Sequence, residues 1–279
     1  VIAVARHVAS WGGDIGAGRQ HPWFMPVATI GFLLLTLLRT RLRLIGLPVF
    51  AAAVLLSALG RPAAPPDLLI AEDGTMAALT EAGRTATNRT RPPGFIFSQW
   101  HRALLLEAPE SPIVSPVGDK AAATSAQAAE RRDLTSEEMA SARERLRNAL
   151  ASAIPARFTC EPKAWCAAKT PQGAAIVTVE DGRLAGVACD VAAIVIAPRA
   201  RFDHCRSGAL LFNGKTLRRT GALEIDFNGS GDPRQWSIRT AMEGKDRPWS
   251  RHRHYDWRSG DYDASLPEPL ADLISDSGG

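Results

Sequence analysis

Trp23–Leu59 reads WFMPVATIGFLLLTLLRTRLRLIGLPVFAAAVLLSAL. It holds two apolar runs, Trp23–Leu38 and Leu42–Leu59. Each is slightly shorter than the roughly 20 residues that carry an α-helix across about 30 Å of hydrocarbon. Flanking Trp and Arg side chains extend such runs, because they sit well at the interface. Trp23 stands at one boundary, and Arg39, Arg41 and Arg43 stand at the other. Pro26 falls in the first turn, where its missing N–H costs little; Pro48 lies deeper in the second run and should kink it. Core helices of soluble proteins rarely run this long without charge on one face, so the pattern predicts membrane spans. The short connection makes the two runs antiparallel neighbours, a transmembrane helical hairpin over residues 23–60. The positive-inside rule assigns the Arg39–Arg43 link to the cytoplasm. Both ends then emerge on the other face, which in a Gram-negative cell is the periplasm.

The first residue is Val1, and residues 1–22 lack the basic, apolar and small-residue order of a signal peptide. They are expected to continue an upstream region, with Val1–Ser10 as a helix tail and Gly12–His21 as a loop. The glycines of Gly12–Gly18 follow no strand and carry no Walker lysine, so a phosphate loop is not indicated. The net charge of +4 over 279 residues permits a polyanionic partner without requiring one.

Downstream, Gly60–Pro66 is a Pro-rich exit linker. Residues 67–242 are expected to form an α+β domain on the non-cytoplasmic side. Asp73-Gly74 is a favoured hairpin turn between two short apolar runs. A flexible insertion rich in Pro, Ala and Ser is expected at about 109–129. Thr135-Ser-Glu-Glu138 reads as a capping box, with an apolar stripe at Met139, Ala142, Leu146 and Leu150 behind it and Pro155 beyond. Strands are predicted at Ala174–Val179, Ala192–Ile196, Ala209–Phe212, Lys215–Arg219 and Ala222–Phe227, with Asn213-Gly214 as a hairpin turn between the third and fourth. Residues 243–279 are expected to be a polar, irregular C-terminal tail.

The four cysteines are Cys160, Cys166, Cys189 and Cys205. An even number in a non-cytoplasmic domain favours disulfides. Cys160 and Cys166, close in sequence across a hairpin, would pair and leave Cys189 with Cys205. A zinc site or four free thiols are the alternatives; zinc is the weaker, since no C-x-x-C pair is present.

Candidate chemistry is sparse. His252-Arg-His254-Tyr-Asp256 matches the start of the H-x-H-x-D-H motif that holds two metals, but the sixth position is Trp257. A solvated basic tail is the plainer reading. His204 beside Cys205 resembles a nucleophile pair, yet adjacent residues on a strand point apart and an oxidised thiol cannot attack. Asn88-Arg-Thr90 and Asn228-Gly-Ser230 match glycosylation acceptors at chance level. Arg199, Arg201, Arg206, Lys215, Arg218 and Arg219 cluster along the chain and are candidates for phosphate contact. Trp236, Trp249 and Trp257 could add base stacking. No catalytic, cofactor-binding or metal residue is assigned.

The order of these elements resembles the C-terminal portion of the ComEC/Rec2 competence proteins in their α-proteobacterial form. The resemblance is carried by the LLRTRLRLIGL link, the Pro-rich exit, DLLIAEDGTMAAL, FTCEPKAWCA, VACDVAAIVIAPRA and KTLRRTGALEI. It covers most of the chain outside the insertion, and no single motif in it is diagnostic. It implies a two-helix membrane hairpin followed by a degenerate metallo-β-lactamase-like αβ sandwich in a multi-pass inner-membrane protein. The implied role is DNA uptake in natural transformation. The implied partners are single-stranded DNA, the lipid bilayer, the upstream channel domain and other DNA-uptake proteins. Ala71-Glu-Asp-Gly74 stands where the family can show a D-V-G-Q-G-D-like loop, and no complete metal motif follows. A non-catalytic domain that contacts DNA or supports the channel is therefore expected; a purely structural assembly domain and a metal-dependent hydrolase are the alternatives.

The cysteine pairing is checked by thiol counting. No thiol is expected to react in the unreduced native protein and four after reduction and unfolding; four reactive thiols without reductant would overturn it.

Overall fold

The computed structural model describes residues 4, 7, 18–59, 64–115, 133–244, 247–257 and 259–276. The chain divides into two compact units: Val1–Pro65 with Gly94–Leu106, and Pro66–Pro93 with Glu107–Gly279. Most of the expected helix tail and glycine loop before Gly18, and the insertion from residue 116 to 132, lie outside the described residues.

The first unit is helical. Helix α1 spans Phe24–Leu37; a 3-10 turn at Arg41–Ile45 runs directly into α2, Gly46–Leu59. Arg41–Leu59 is one continuous helical stretch of 19 residues with mean hydropathy 2.1, long and apolar enough to cross a membrane; Phe24–Leu37 is shorter. Leu47, Val54, Leu55 and Leu59 are exposed, which sets this helix apart from the core helix of a soluble domain. Close approach of α1 and α2 depends on glycine. A Cβ on Gly46 would lie 2.6 Å from the Gly31 carbonyl oxygen. Small residues at such a crossing let two helix backbones touch where lipid offers no hydrophobic drive. Ser57 and Gln20 add a side-chain hydrogen bond. Helix α3, Gly94–Leu104, completes the unit.

The second unit is built on two six-stranded mixed sheets. The first runs in the order β12-β11-β1-β2-β3-β4, with β1 Leu68–Ile70, β2 Ala77–Glu81, β3 Arg84–Thr87, β4 Pro109–Glu110, β11 Leu223–Asp226 and β12 Ser237–Thr240. The second runs β10-β9-β8-β7-β6-β5, with β5 Ile113–Val114, β6 Thr159–Glu161, β7 Trp165–Lys169, β8 Ala175–Val179, β9 Ile194–Ala197 and β10 Leu210–Asn213. Strands β8, β9 and β10 are parallel. One apolar cluster draws on both sheets: Leu68, Ile70 and Leu79 from the first, and Ile176, Ile194, Ile196 and Phe212 from the second. The alternate residues Val177, Val179 and Val195 enter a second cluster with Ala142, Leu146 and Leu150. Strands β8 and β9 are thus buried on both faces, which is why their sequences are continuous apolar runs.

Ala142, Leu146 and Leu150 belong to helix α4, Ser136–Ala151, and their four-residue spacing makes one stripe. The capping box forms: Thr135 Oγ1 accepts from the Glu138 N–H at 3.2 Å, and Glu138 accepts from the Thr135 N–H at 2.8 Å. Helix α5, Ala185–Cys189, packs on the same side through Val187 and Ala188.

Three expectations change. Lys215–Arg219 is not a strand; Gly214–Thr220 is helix α6. Asn213 has φ −86° and its side chain accepts from the Thr216 N–H, so it caps a helix. A two-residue Asn-Gly hairpin turn needs positive φ at both positions. Second, Pro109–Val114 is not a loop, because β4 and β5 each extend a sheet edge there. Third, the stretch from Glu243 is folded. Pro248–Arg253 is a 3-10 helix, β13 Tyr255–Asp256 pairs with β14 Asp261–Tyr262, and helix α7 spans Glu268–Asp276. Leu270 and Leu273 of α7 enter the shared core. The polar residues around them hide an amphipathic helix of nine residues.

Leu270→Ala is expected to destabilise the second unit by about 2–5 kcal/mol, the usual cost of a truncated core leucine. Urea unfolding of the full chain in detergent measures it, and no change would return α7 to the status of a loose tail.

Candidate functional site

Parallel strands bring their carboxyl ends to one edge, where open α/β sheets bind ligands. Here β8, β9 and β10 end at Val179, Ala197 and Asn213. The β1–β2 loop meets them there. Gly74 has φ +66°, and a Cβ on it would collide with Pro198 and Leu217. Asp73 closes this loop by accepting from the Thr75 N–H at 3.0 Å. The edge is therefore packed shut by loops.

Ion pairs lock the same edge. Arg89 Nε donates to the Thr75 carbonyl at 2.9 Å, and its Nη1 lies 3.5 Å from Glu180. Arg183 and Asp181 pair at 2.7 Å. Burial pushes the Asp181 carboxyl up, but hydrogen bonds from the Arg183 guanidinium and N–H outweigh it, and the net shift is down. Arg253 reaches Glu72 at 2.6 Å. Asn88 ties the two sheets together: its Oδ1 accepts from the Ala77 N–H at 2.9 Å and its Nδ2 donates to Thr178 Oγ1 at 3.3 Å.

The six candidate cations separate into two groups. Arg199, Arg201 and Arg206 are exposed on the loop between β9 and β10. That loop is held by the Cys189–Cys205 disulfide and by Asn213 Nδ2, which donates to the Phe202 carbonyl at 2.9 Å and to Asp203 at 3.0 Å. Lys215, Arg218 and Arg219 lie on α6 and engage the C-terminal segment. Arg218 donates to the His252 carbonyl at 2.6 Å, and Lys215 lies 3.5 Å from Asp263. Arg219 is only 8% exposed, pairs with Asp263 at 2.6 Å and donates to the Ser265 carbonyl. The Ser265 hydroxyl and N–H, with Arg219, hold the Asp263 carboxyl well below the usual range.

Both disulfides are present. Cys160–Cys166 joins directly opposed residues of β6 and β7, and Cys189–Cys205 joins the end of α5 to the β9–β10 loop. His204 therefore neighbours an oxidised sulfur. His252 directs Nδ1 at the Trp249 carbonyl, 2.6 Å away. Among the described residues, no group of three or more His, Cys, Asp or Glu is placed to hold a metal ion. Of the three tryptophans, Trp236 is buried against Phe227, whereas Trp249 and Trp257 are exposed.

One feature of this unit leaves little trace in the sequence. A cleft of about 930 Å³ opens beside the end of α6, lined among others by Arg219, Met242, Arg251, His254, Tyr262 and Leu266. Its lining comes from five separate segments, so no local motif marks it.

No protein-family model matches the chain, and no curated protein and no solved structure matches it.

The two groups of cations should behave differently on mutation. Arg219→Ala is expected to cost about 1.5–3 kcal/mol, since it removes hydrogen bonds of a nearly buried charge. Arg201→Ala should stay within about 0.5 kcal/mol, as surface changes do. The Asp263 carboxyl is depressed in the folded state, so its contribution is present above the ordinary value of 3.8 and is lost as pH falls toward the folded value. The stability gap between wild type and Arg219→Ala should therefore be flat from neutral pH down to about 4 and shrink only below it. Urea titrations across pH measure this.

Proposed function

We propose that this chain is the C-terminal part of a DNA-uptake protein of the ComEC/Rec2 type. Its membrane hairpin would carry a non-catalytic, degenerate metallo-β-lactamase-like sandwich that contacts single-stranded DNA. The observation that carries the reading is the β9–β10 loop. It presents Arg199, Arg201 and Arg206 to solvent while a disulfide and the Asn213 side chain fix its shape. Preorganised, exposed guanidiniums attract a phosphate backbone at little ordering cost. Two disulfides favour an oxidising compartment, and Arg39, Arg41 and Arg43 in the helix link favour a cytoplasmic link. Together these support an inner-membrane protein with multiple spans and a periplasmic domain. The packed strand edge and the engagement of His252 with a carbonyl support a binding role over a hydrolytic one.

A second reading has its own support. Lys215, Arg218 and Arg219 spend their charges inside the domain. That suits a structural domain that stabilises the upstream channel without touching DNA.

Full-length chain in detergent should bind a fluorescent 12-mer oligothymidylate, with affinity falling as salt rises by roughly 0.7 log units per log salt for each phosphate neutralised. Replacing Arg199, Arg201 and Arg206 together by Ala should lower that slope by about 2. Absence of binding at low salt would remove the DNA-contact reading and leave the structural one.

A further inference from the structure

The cleft beside α6 has a lining that differs from the rest of the surface. Met242 and Leu266 supply apolar wall, while Arg251 and His254 supply polar edge. Among the described residues no carboxylate pairs with Arg251. The His254 Nδ1 is buried and has no hydrogen-bond partner among the described residues. Arg219 also reaches the cleft, but its charge is committed to Asp263 and it serves to shape the wall. Glu243 is the acidic residue of the lining.

Aromatic faces stand at the same place. In the β13–β14 ladder, Tyr255 pairs with Tyr262 and Asp256 pairs with Asp261. Neighbouring residues of a strand point to opposite faces, so the ladder sorts aromatics to one side and acids to the other. The Tyr255 and Tyr262 rings lie 5.2 Å apart, and Tyr262 is 69% exposed while lining the cleft. Trp249, from the adjacent 3-10 helix, is also 69% exposed, with the Arg247 guanidinium 5.4 Å from its ring centre. Exposed rings beside guanidinium groups match a ligand that is flat, aromatic and anionic, which stacks on the ring and meets the cation.

We propose that this cleft is a nucleotide subsite for single-stranded nucleic acid. A base would stack on the exposed face of Tyr262 and its phosphate would meet Arg251, with the His254 side chain forming part of the wall behind them. The proposal rests on the DNA-contact reading above and moves its centre from the β9–β10 loop to the C-terminal segment. The cleft volume, about 930 Å³, is at the upper end of the roughly 300–1,000 Å³ typical of small-molecule sites, which suits a nucleotide with its neighbours. A bilayer surface shares the taste for aromatics and cations, but it is broad and flat and would not fill a concave site.

The test uses full-length chain in detergent, a fluorescent 12-mer oligothymidylate, and vesicles of anionic and zwitterionic phospholipid. Tyr262→Ala should weaken oligonucleotide binding roughly 5- to 150-fold, as loss of one stacked base does, while Tyr262→Phe should retain it. Arg251→Ala should reduce the salt slope by about 0.7. In unmutated protein, an oligonucleotide carrying 5-iodouracil should photocross-link within residues 247–266, which keeps the test decisive if a variant folds poorly. Wild-type affinity in both Ala variants, with binding lost in the Arg199/Arg201/Arg206 variant and cross-links on the β9–β10 loop, would overturn the subsite and spare DNA contact. No oligonucleotide binding by wild type would overturn both. Loss of anionic-vesicle binding in Tyr262→Ala, with oligonucleotide binding unchanged, would overturn the subsite in favour of a membrane contact.

Discussion

Burial of β8 and β9 on both faces is the constraint on which the second unit depends. Ile176, Ile194 and Ile196 fill the core shared by the two sheets, while Val177 and Val195 meet the side covered by α4 and α5. A strand with one polar face has its register fixed by that alternation. These strands lack it, so a slip by one residue would still bury apolar side chains. Polar ties hold the register instead. Asn88 bonds Thr178 across the sheets, and the Cys160–Cys166 bridge clamps the neighbouring hairpin at a directly opposed pair. The disulfides therefore do more than mark a compartment: they fix positions that hydrophobic burial alone leaves loose.

The same economy governs the charges. Along the chain, Lys215, Arg218 and Arg219 look like a continuation of the arginines before them. On a helix, Lys215 and Arg219 are four apart and share a face, and both meet Asp263. Arg218 and Arg253 bind each other's segments through backbone carbonyls. These cations act as struts between α6 and the C-terminal segment, while Arg201 and Arg206 stay in solvent and Arg199, also exposed, reaches the Glu180 carbonyl at 3.5 Å. Their division follows from Asn213. Read as a turn residue it would send the chain back as a strand; acting as an N-cap it starts a helix. Its own side chain serves both roles at the site, capping α6 through Oδ1 and bracing the basic loop through Nδ2.

Much of the local structure was legible. The capping box at Thr135, the apolar stripe of α4 and the runs that became β8, β9 and β11 rest on short-range rules of spacing and capping. The apolar character of Trp23–Leu59 also rests on composition, though the Gly31–Gly46 contact that joins the helices needs both backbones in view. The C-terminal segment was the failure. Leu270, Leu273 and Ile274 stand at the i, i+3, i+4 spacing of a short amphipathic helix, a signal that the polar composition around them masks, and Leu270 acquires its core role only against β-strands from much earlier in the chain.

The sequence by itself determined the apolar N-terminal stretch and the alternation of strands with one well-capped helix, and it favoured the pairing of cysteines that the structure forms, because each depends on residues close along the chain. Tertiary structure alone decided which arginines face solvent, that the strand edge is packed shut, and that a cleft lined by Arg251, His254 and Tyr262 exists at all. Those outcomes depend on segments far apart in sequence meeting in space. The physical reason is that the fate of a charge or a ring is set by the partner it meets, and spacing along one strand or helix does not name that partner.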